Sequence, residues 1–240
     1  DFFRNHSNYF EDLEAAAQEV RHGMPGREDD VYADLKDRLA ARHGIEVRLE
    51  RILDMGRSLR VYDAQARVLR LSEALDHPNR VFQLAYVAGL LEAPELIARR
   101  VGDAALGDTD AGSRLSVELT NYFAAALLMP YDAFFEMAEV TRYDIDRIAA
   151  AFCVTFEQVC HRLTTLQRDG TRGVPFFFLR VDRAGNITKR FNATPFTLAE
   201  QGGSCPVWDL HGAFRTPGVI IPQFVELPEG EKYFTISRTT

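Results

Sequence analysis

The sequence predicts an α+β fold, in which a mainly helical domain over residues 1–172 precedes a β-rich domain over residues 173–240. Two observations carry this prediction. Before position 172, apolar residues recur mostly at the three- and four-residue spacing of amphipathic helices. From Gly173 onward they alternate with polar residues in short runs separated by turn residues. The composition is that of a globular chain, with 46% hydrophobic and 26% charged residues among 240.

The first half predicts helices around a short β segment. An apolar stripe over residues 9–20 predicts the first helix, and an aspartate at residue 29 or 30 can cap a second helix that Gly44 ends. The hydrophobic period then changes from about 3.6 to 2, which predicts three strands. They lie near residues 47–49, 59–61 and 68–71, and residues 63–66 form a hairpin turn between the last two.

The helical pattern resumes and then gives way to strands. Helices are predicted at residues 79–92, in a following segment that ends near residue 100, and at residues 113–129, where Pro130 closes the helix. Two more are predicted at residues 145–152 and 155–166. Two alternating runs joined by a turn at residues 184–186 predict a β-hairpin. Further strands are expected within residues 218–227 and 232–239.

Charge and cysteine usage narrow the possible classes of protein. The chain has 28 basic and 35 acidic residues, so its net charge of −7 argues against general attraction to phosphate polymers. Three cysteines without a CxxC motif argue against a disulfide scaffold and indicate a reducing, cytoplasmic location. No apolar run reaches the roughly 18–20 residues that a membrane helix needs, so no membrane contact is expected. Because residue 1 is not Met, we expect a fragment of a longer chain.

The helix at residues 80–93 has the setting of a zinc-binding HExxH helix without its ligands. In HExxH, two histidines one turn apart bind zinc and the glutamate acts as the base. Here Tyr86 and Leu90 stand four residues apart at the ligand positions, and Val87 stands at the position of the base. An ordinary buried helix is the simpler alternative on these residues alone.

Two sequence blocks resemble the ImmA/IrrE peptidase-like domain, a degenerate zincin-like unit. The first, Phe82-x-Leu84-Ala85-x-x-x-Gly89, matches the frame F-x-L-A-H-E-x-G-H. The second begins at Glu118 and ends at Met129-Pro130, and resembles E-x-x-N-x-F-A…L-L-M-P. The resemblance implies that Glu118 stands where a glutamate completes the family's zinc site. One carboxylate cannot hold the metal, so we hypothesise a metal-free cleft for an apolar or acyl group, lined by Tyr86, Tyr122 and Phe123.

Residues 144–166 have the pattern of a helix-turn-helix. Residues 142–190 hold nine basic and five acidic side chains, a local excess that fits a phosphate-binding strip. The second helix, however, offers Glu157, Gln158 and His161 with few cations beyond Arg162 and Arg168, so few phosphate contacts are available. In the ImmA/IrrE-like fold the same helical pair packs inside the domain, and we favour that role.

The predicted hairpin places cations beside aromatic residues. Arg180, Lys189 and Arg190 lie near Phe178, and alternation can send the cations to one face and the aromatic rings to the other. A solvated outer face is the simpler interpretation. Such a surface also suits a nucleotide, because guanidinium groups bind phosphate oxygens in pairs and aromatic rings stack on purines.

The segments A-G-N-I-T-K-R, C-P-V-W and P-E-G-E-K-Y-F-T-I-S-R resemble the domain that follows the ImmA/IrrE-like unit in short-chain fatty-acyl-CoA transcription regulators. The two resemblances together cover nearly the whole chain. They imply a sensor of CoA or short-chain acyl-CoA, propionyl-CoA above all, that controls propionate and methylcitrate genes. They also imply an N-terminal domain, absent here, that binds promoter DNA. A possible iron–sulfur cluster would lie beyond residue 240, to which Cys205 contributes a ligand unless it is a buried structural thiol.

We therefore predict a non-enzymatic ligand-sensing region of a transcription regulator, acting as a homodimer because palindromic operators call for two-fold proteins. The phosphates are assigned to Lys189 and Arg190, with weaker roles for Arg60 and Arg180. The pantetheine or acyl end is assigned to Tyr86, Tyr122 and Phe123, with Phe178 or Trp208 packing on it. Two alternatives stay open: a metallopeptidase of the ImmA/IrrE type and a self-sufficient helix-turn-helix DNA-binding module.

Overall fold

The computed structural model describes residues 2–26, 30–105, 110–194, 209–226 and 230–239. Within these ranges the helices are α1 (Phe2–Asn5), α2 (Glu11–His22), α3 (Val31–His43), α4 (Ile52–Met55), α5 (His77–Glu92), α6 (Pro94–Asp103), α7 (Asp110–Leu128), α8 (Tyr131–Val140), α9 (Ile145–Phe152) and α10 (Phe156–Leu163). A 3₁₀ helix covers Asp209–Phe214. The predicted mixture of a helical part and a later β-rich part is confirmed.

Seven strands within the described ranges form three small sheets. The strands are β1 (Glu46–Glu50), β2 (Arg60–Asp63), β3 (Val68–Ser72), β4 (Phe177–Val181), β5 (Ile187–Asn192), β6 (Ile221–Glu226) and β7 (Lys232–Ser237). In the first sheet β3 is central, parallel to β1 and antiparallel to β2. The pairs β4–β5 and β6–β7 are antiparallel hairpins. The β4–β5 hairpin and the β2–β3 turn agree with the sequence-based prediction, which gave β6 and β7 as strands without their pairing.

The helices begin and end where side chains can replace missing backbone partners. The side chain of Asp30 accepts a hydrogen bond from the Ala33 amide at the start of α3, and Gly44 ends that helix with a φ of 65°. At the start of α10, Thr155 and Gln158 form a reciprocal capping box. These caps explain why the predicted helix boundaries agree with the structure to within a few residues.

Helix α8 is the largest element that the sequence-based prediction missed. Pro130 ends α7 as expected, but the chain turns and starts a new helix at the next residue. Tyr131, Phe134 and Ala138 lie on one buried face of this helix. The short helices α1 and α4 were also missed, because a single turn carries no periodic pattern.

Helix α7 lies at the centre of the helical part. Helices α2, α5, α6 and α10 all pack against it, and its second half is almost entirely buried. The α5–α7 contact depends on Gly89, because a Cβ atom there would lie 2.9 Å from Cδ1 of Phe123. No single helix in the described ranges is long and apolar enough to cross a membrane; α5 and α6 reach that length only as a pair bent by 79°.

A buried ion pair joins three of these helices. Arg162 of α10, 0% exposed, donates from its two terminal nitrogens to the two carboxylate oxygens of Glu14 in α2, at 2.5 and 2.8 Å. Its Nε donates to the Met129 carbonyl, and Tyr122 of α7 donates its hydroxyl to Glu14 at 2.6 Å. Although burial lowers the pKa of Arg162, the Glu14 carboxylate outweighs it and raises that pKa above its ordinary value. Arg162 is therefore charged in the folded protein.

The two later hairpins differ in how they are covered. The β4–β5 hairpin packs on the helical part, where Phe191 contacts His161 with ring centroids 3.9 Å apart. On the β6–β7 hairpin one face remains open, because Phe224 and Phe234 are cross-strand partners with 83% and 59% of their surface exposed. The β4–β5 hairpin is thus in a position to build a site with the helices.

Removing one partner of the buried pair is expected to be costly. Glu14→Gln leaves Arg162 charged without its counterion, so we expect a loss of about 3–5 kcal/mol in the free energy of unfolding. Asp132→Asn is the matched control, since Asp132 pairs with Arg168 at the surface and should cost less than about 1 kcal/mol. Urea unfolding of the two variants gives the comparison. Equal losses would contradict a structural role for the buried pair.

The close approach at Gly89 yields a second prediction. Gly89→Ala should destabilise the protein by about 1–3 kcal/mol despite the better helix propensity of alanine, because the new methyl group overlaps the Phe123 ring. Gly102→Ala in α6 is the control: no atom lies within 4 Å of a Cβ there, so we expect a gain of about 0.5–1 kcal/mol. Thermal unfolding measures both changes, and stabilisation by Gly89→Ala would rule out the tight contact.

Candidate ligand-binding groove

A groove of about 860 Å³ runs between α1, the C-terminal end of α6, the first half of α7 and strand β5. Strand β5 supplies a continuous wall from Thr188 to Asn192. Helix α1, which contacts β5 through Phe3 and Phe191, adds the lining residues from Phe2 to Asn5. The volume lies within the roughly 300–1,000 Å³ typical of small-molecule sites. The groove therefore joins the helical part of the chain to the first β-hairpin.

Four cationic side chains line the groove. Lys189 and Arg190 come from β5, Arg4 from α1 and Arg114 from α7. Because successive strand residues point to opposite faces, Lys189 turns toward the helices, partly buried, while Arg190 is exposed. Two acidic side chains, from the end of α6 and from α7, also line the groove. The excess of cations makes this groove suitable for an anion.

Aromatic rings form the floor at one end. Phe3 makes an edge contact with Phe191 at a centroid distance of 6.0 Å, and both line the groove with Phe2. Phe2 and Phe3 are held from below by Phe10, at 5.8 and 5.0 Å. An apolar floor beside charged walls can receive the ring or the hydrocarbon part of an anionic ligand.

Glu118 is the acidic residue that α7 contributes to the groove. Burial raises the pKa of Glu118, whereas the charge of Lys189 and a hydrogen bond with Asn121 lower it in part. This is the residue at the position of the third zinc ligand in the resembling peptidase-like family. In this chain it faces a lysine.

The two positions that would complete such a zinc site do not fit a metal. Tyr86 is buried beneath Arg60, whose guanidinium carbon lies 4.0 Å from the ring centroid, and Leu90 is 37% exposed. Arg60 is itself held by a hydrogen bond to the side chain of Gln83. Across the described part of the chain there is no group of three or more His, Cys, Asp or Glu side chains arranged to hold a metal ion. The donor set at these positions therefore does not match that of a zinc peptidase.

Tyr122 and Phe123 have packing roles. The Tyr122 hydroxyl donates to Glu14 and accepts from the Phe10 amide at 3.1 Å, and only 1% of the residue is exposed. Phe123 is fully buried against Gly89. Neither residue lines the groove, and nor does Tyr86. Their burial does not support the hypothesised cleft formed by these three side chains.

The hairpin cations predicted from the sequence are engaged by one carboxylate. Lys189 Nζ lies 2.8 Å from Oε1 of Glu157, and a terminal nitrogen of Arg180 lies 3.2 Å from the same oxygen. Arg180 and Lys189 are cross-strand partners, so both reach α10 from one face of the hairpin. Arg180 does not line the groove. The structure thus joins Lys189 to Arg190 in the groove and leaves Arg180 beside it.

The remaining assignments fall in different places. Phe178 is partly buried and pairs with Phe191 across the hairpin, one strand away from the groove wall. Trp208 lies outside the described residues, as does Cys205. Sequence reasoning missed the groove residues of α1 and α7, because their distance from β5 along the chain leaves no local pattern. These residues are Phe2, Phe3, Arg4 and Arg114.

The helix-turn-helix pattern forms a packed pair in this structure. In α10, Arg162 is buried in its ion pair with Glu14, and Gln158 closes the capping box. Glu157 is engaged by the hairpin, and burial lowers the pKa of His161 to about 3. The side chains that would face DNA are therefore committed to internal contacts. The interpretation of this pair as a packing element is favoured over the DNA-reading module.

Comparison with known proteins defines the class. Residues 40–164 match the IrrE N-terminal-like domain, and residues 165–240 match the C-terminal domain of short-chain fatty acyl coenzyme A regulators. A solved structure of a Mycobacterium tuberculosis transcriptional regulator superimposes with a TM-score of 0.93 at 40% identity, covering 100% of this chain and 72% of that one. The fold is thus that of a transcription regulator with a peptidase-like domain.

Curated relatives agree with this class. The chain is 40% identical to the HTH-type transcriptional regulator PrpR of Mycobacterium tuberculosis, over 100% of this chain and 49% of that protein. It is 38% identical to RamB of the same organism and to the propionyl-CoA carboxylase regulator of Cereibacter sphaeroides, over 50% of each. The chain spans about half the length of these relatives. It belongs to the short-chain fatty acyl coenzyme A regulator family, as the sequence motifs predicted.

His161, a half-buried residue whose ring packs against Phe191, gives a pH prediction. Its Nε2 has no hydrogen-bond partner in the part of the chain that the structure describes, and burial lowers its pKa from 6.5 to about 3. The unfolded chain therefore binds a proton that the folded protein excludes, so stability is full above pH 6.5 and falls on acidification toward pH 3. The loss should approach about 1.4 kcal/mol per pH unit.

The matched variants are His161→Phe and His22→Phe. Replacing His161 removes the titrating ring, so the decline of unfolding free energy between pH 6.5 and about 4.5 should become shallower. His22 is exposed in α2, and its replacement should leave the slope unchanged. Urea unfolding at several pH values measures both slopes. A slope that His161→Phe leaves unaltered would contradict the assignment.

Proposed function

We propose that this chain is the ligand-sensing part of a transcription regulator and binds CoA or a short-chain acyl-CoA, with propionyl-CoA the favoured thioester. The observation that carries the proposal is the groove, which four cationic residues line beside the aromatic floor: Lys189, Arg190, Arg4 and Arg114. The family description and the name of one relative, a propionyl-CoA carboxylase regulator, agree with this ligand class.

The chemistry of CoA suits the groove in two ways. Its phosphates need several cations, and arginine binds phosphate oxygens with two parallel hydrogen bonds. Its adenine ring and slim pantetheine arm can pack on the aromatic floor. We assign the phosphates to Lys189 and Arg190, with Arg4 and Arg114 as further contacts. Secondary predictions remain for Arg60, Arg180, Phe178 and Trp208.

Two positions can be proposed for the acyl end of the ligand. Tyr86, Tyr122 and Phe123 could contact it only if α5 and α7 moved apart, because these side chains are buried in the α5–α7 region. The aromatic floor of the groove needs no such movement. We therefore favour a position in which the pantetheine arm of the ligand packs on the aromatic floor near Phe3.

The wider role is proposed on the same basis. Ligand binding would shift a two-state arrangement that a DNA-binding segment elsewhere in the full protein reads, and so control propionate and methylcitrate genes. A homodimer, a cytoplasmic location, the absence of enzymatic activity and an iron–sulfur cluster beyond residue 240 are further predictions. Titration of each thioester and sedimentation of the full protein would address the ligand and the dimer.

The central test is a matched pair of charge reversals on one hairpin. Arg190→Glu should weaken CoA binding at least about tenfold, because it replaces a cation in the groove with a repelling charge. Arg183→Glu makes the same charge change in the exposed turn of the hairpin, outside the groove, and should change affinity less than about threefold. Isothermal titration gives the dissociation constants.

Thermal unfolding with CoA, acetyl-CoA, propionyl-CoA and free propionate identifies the part of the ligand that is recognised. A thioester at a hundredfold excess over its dissociation constant should stabilise the wild-type fold by about 2.7 kcal/mol. Stabilisation by propionate but by no thioester would show that the carboxylate, and not the CoA phosphates, is recognised. If no thioester stabilises the protein, or if both charge reversals act equally, the proposed function is wrong.

A further inference from the structure

Glu157 of α10 provides the anion that two cationic side chains of the β4–β5 hairpin bind. It lies in the first turn of α10, with its side chain 25% exposed, and its carboxylate accepts from Lys189 at 2.8 Å and from Arg180 at 3.2 and 3.4 Å. Two cations on adjacent strands thus converge on one carboxylate. This is the arrangement with which a pair of basic side chains holds a phosphate oxygen.

The same lysine belongs to two sites. Lys189 lines the groove, where its charge lowers the pKa of Glu118 against the effect of burial, and it also forms the shorter of the two ion pairs with Glu157. An ammonium group has three donors on one compact charge, so it can turn from one acceptor to another. A ligand phosphate in the groove and the carboxylate of Glu157 therefore compete for the Lys189 ammonium group.

We infer that Glu157 competes with the anionic ligand for Lys189. This competition lowers the affinity of the protein for the ligand, and it holds the β4–β5 hairpin on α10 until a phosphate replaces the carboxylate. The inference rests on the proposed function for the identity of the ligand. A protein molecule in which Glu157 is paired with Lys189 cannot bind the ligand. The apparent affinity for the ligand therefore decreases as the fraction of such molecules increases. Release breaks the shorter of the two ion pairs between the hairpin and α10 and leaves that of Arg180, which gives ligand binding a route to the helices.

The contact belongs to the hairpin and not to the internal packing of α10. The capping box at Thr155 and Gln158 and the buried pair of Arg162 fix this helix independently of Glu157. Removal of the Glu157 charge should therefore leave α10 folded. A variant at this position can report on the ligand without the loss of stability expected at Glu14.

The test uses Glu157→Gln with Asp54→Asn as its control. Both substitutions replace one carboxylate by the isosteric amide. Asp54, however, lies in α4 and pairs with Arg51, far from the hairpin in the sequence and outside the groove. Isothermal titration with CoA should give a dissociation constant about three- to tenfold lower for Glu157→Gln than for the wild type. Asp54→Asn should lie within about twofold of the wild type. Glu157→Asp, with a shorter reach, should shift in the same direction and replaces Glu157→Gln if that variant does not fold.

Pyrophosphate serves as a second probe at constant ionic strength. If CoA binds the wild type and Glu157→Gln equally, the competitor role is wrong and the proposed function stands. If CoA binds neither protein but pyrophosphate binds Glu157→Gln more tightly than the wild type, the competitor role stands and the proposed ligand is wrong. If neither probe distinguishes the two proteins, the inference is overturned.

Discussion

The ion pair between Arg162 and Glu14 is the constraint on which the rest of the helical part depends. A charged guanidinium inside the core is tolerated only because a carboxylate, a backbone carbonyl and a ring of aromatic side chains surround it. These partners come from different helices, so the pair fixes α10 relative to α2 and α7. His161 is the neighbour of Arg162 and contacts Phe191, and in this way the position of the groove wall follows from the buried pair.

The helical part has the framework of an IrrE-like domain, and the residues at its zinc-ligand positions do not match those of a zinc peptidase. Helices α5 and α7 remain in close contact at Gly89, and Glu118 keeps its place on α7. The positions that would bind zinc carry Tyr86 and Leu90, and Arg60 covers the first of them. The scaffold therefore still brings Glu118 to the wall of a groove, where its neighbour is now a lysine from the β-rich region.

Local features could be predicted from the sequence, whereas contacts between distant segments could not. Caps such as Asp30 and Thr155 satisfy backbone groups within a few residues, so their patterns are visible in the chain. In β5, by contrast, the alternation places Lys189 and Arg190 on opposite faces of the strand and Lys189 on the face of Phe191, although both cations belong to residues that line the groove. Arg162 looked like a surface cation because arginine is seldom fully buried, and only the fold reveals its partner 148 residues away. Separation along the chain also hid the pairing of Lys189 with α10.

The charge distribution has a kinetic consequence. The chain as a whole carries a net charge of −7, while the groove concentrates four cations in a small region. At physiological ionic strength, fields fade over a Debye length of about 8 Å, so a diffusing anion meets the favourable potential only when it is almost at the surface. Long-range steering would add little to the speed of capture. Selection among metabolites would then depend on how long each one stays, which is set by the contacts inside the groove.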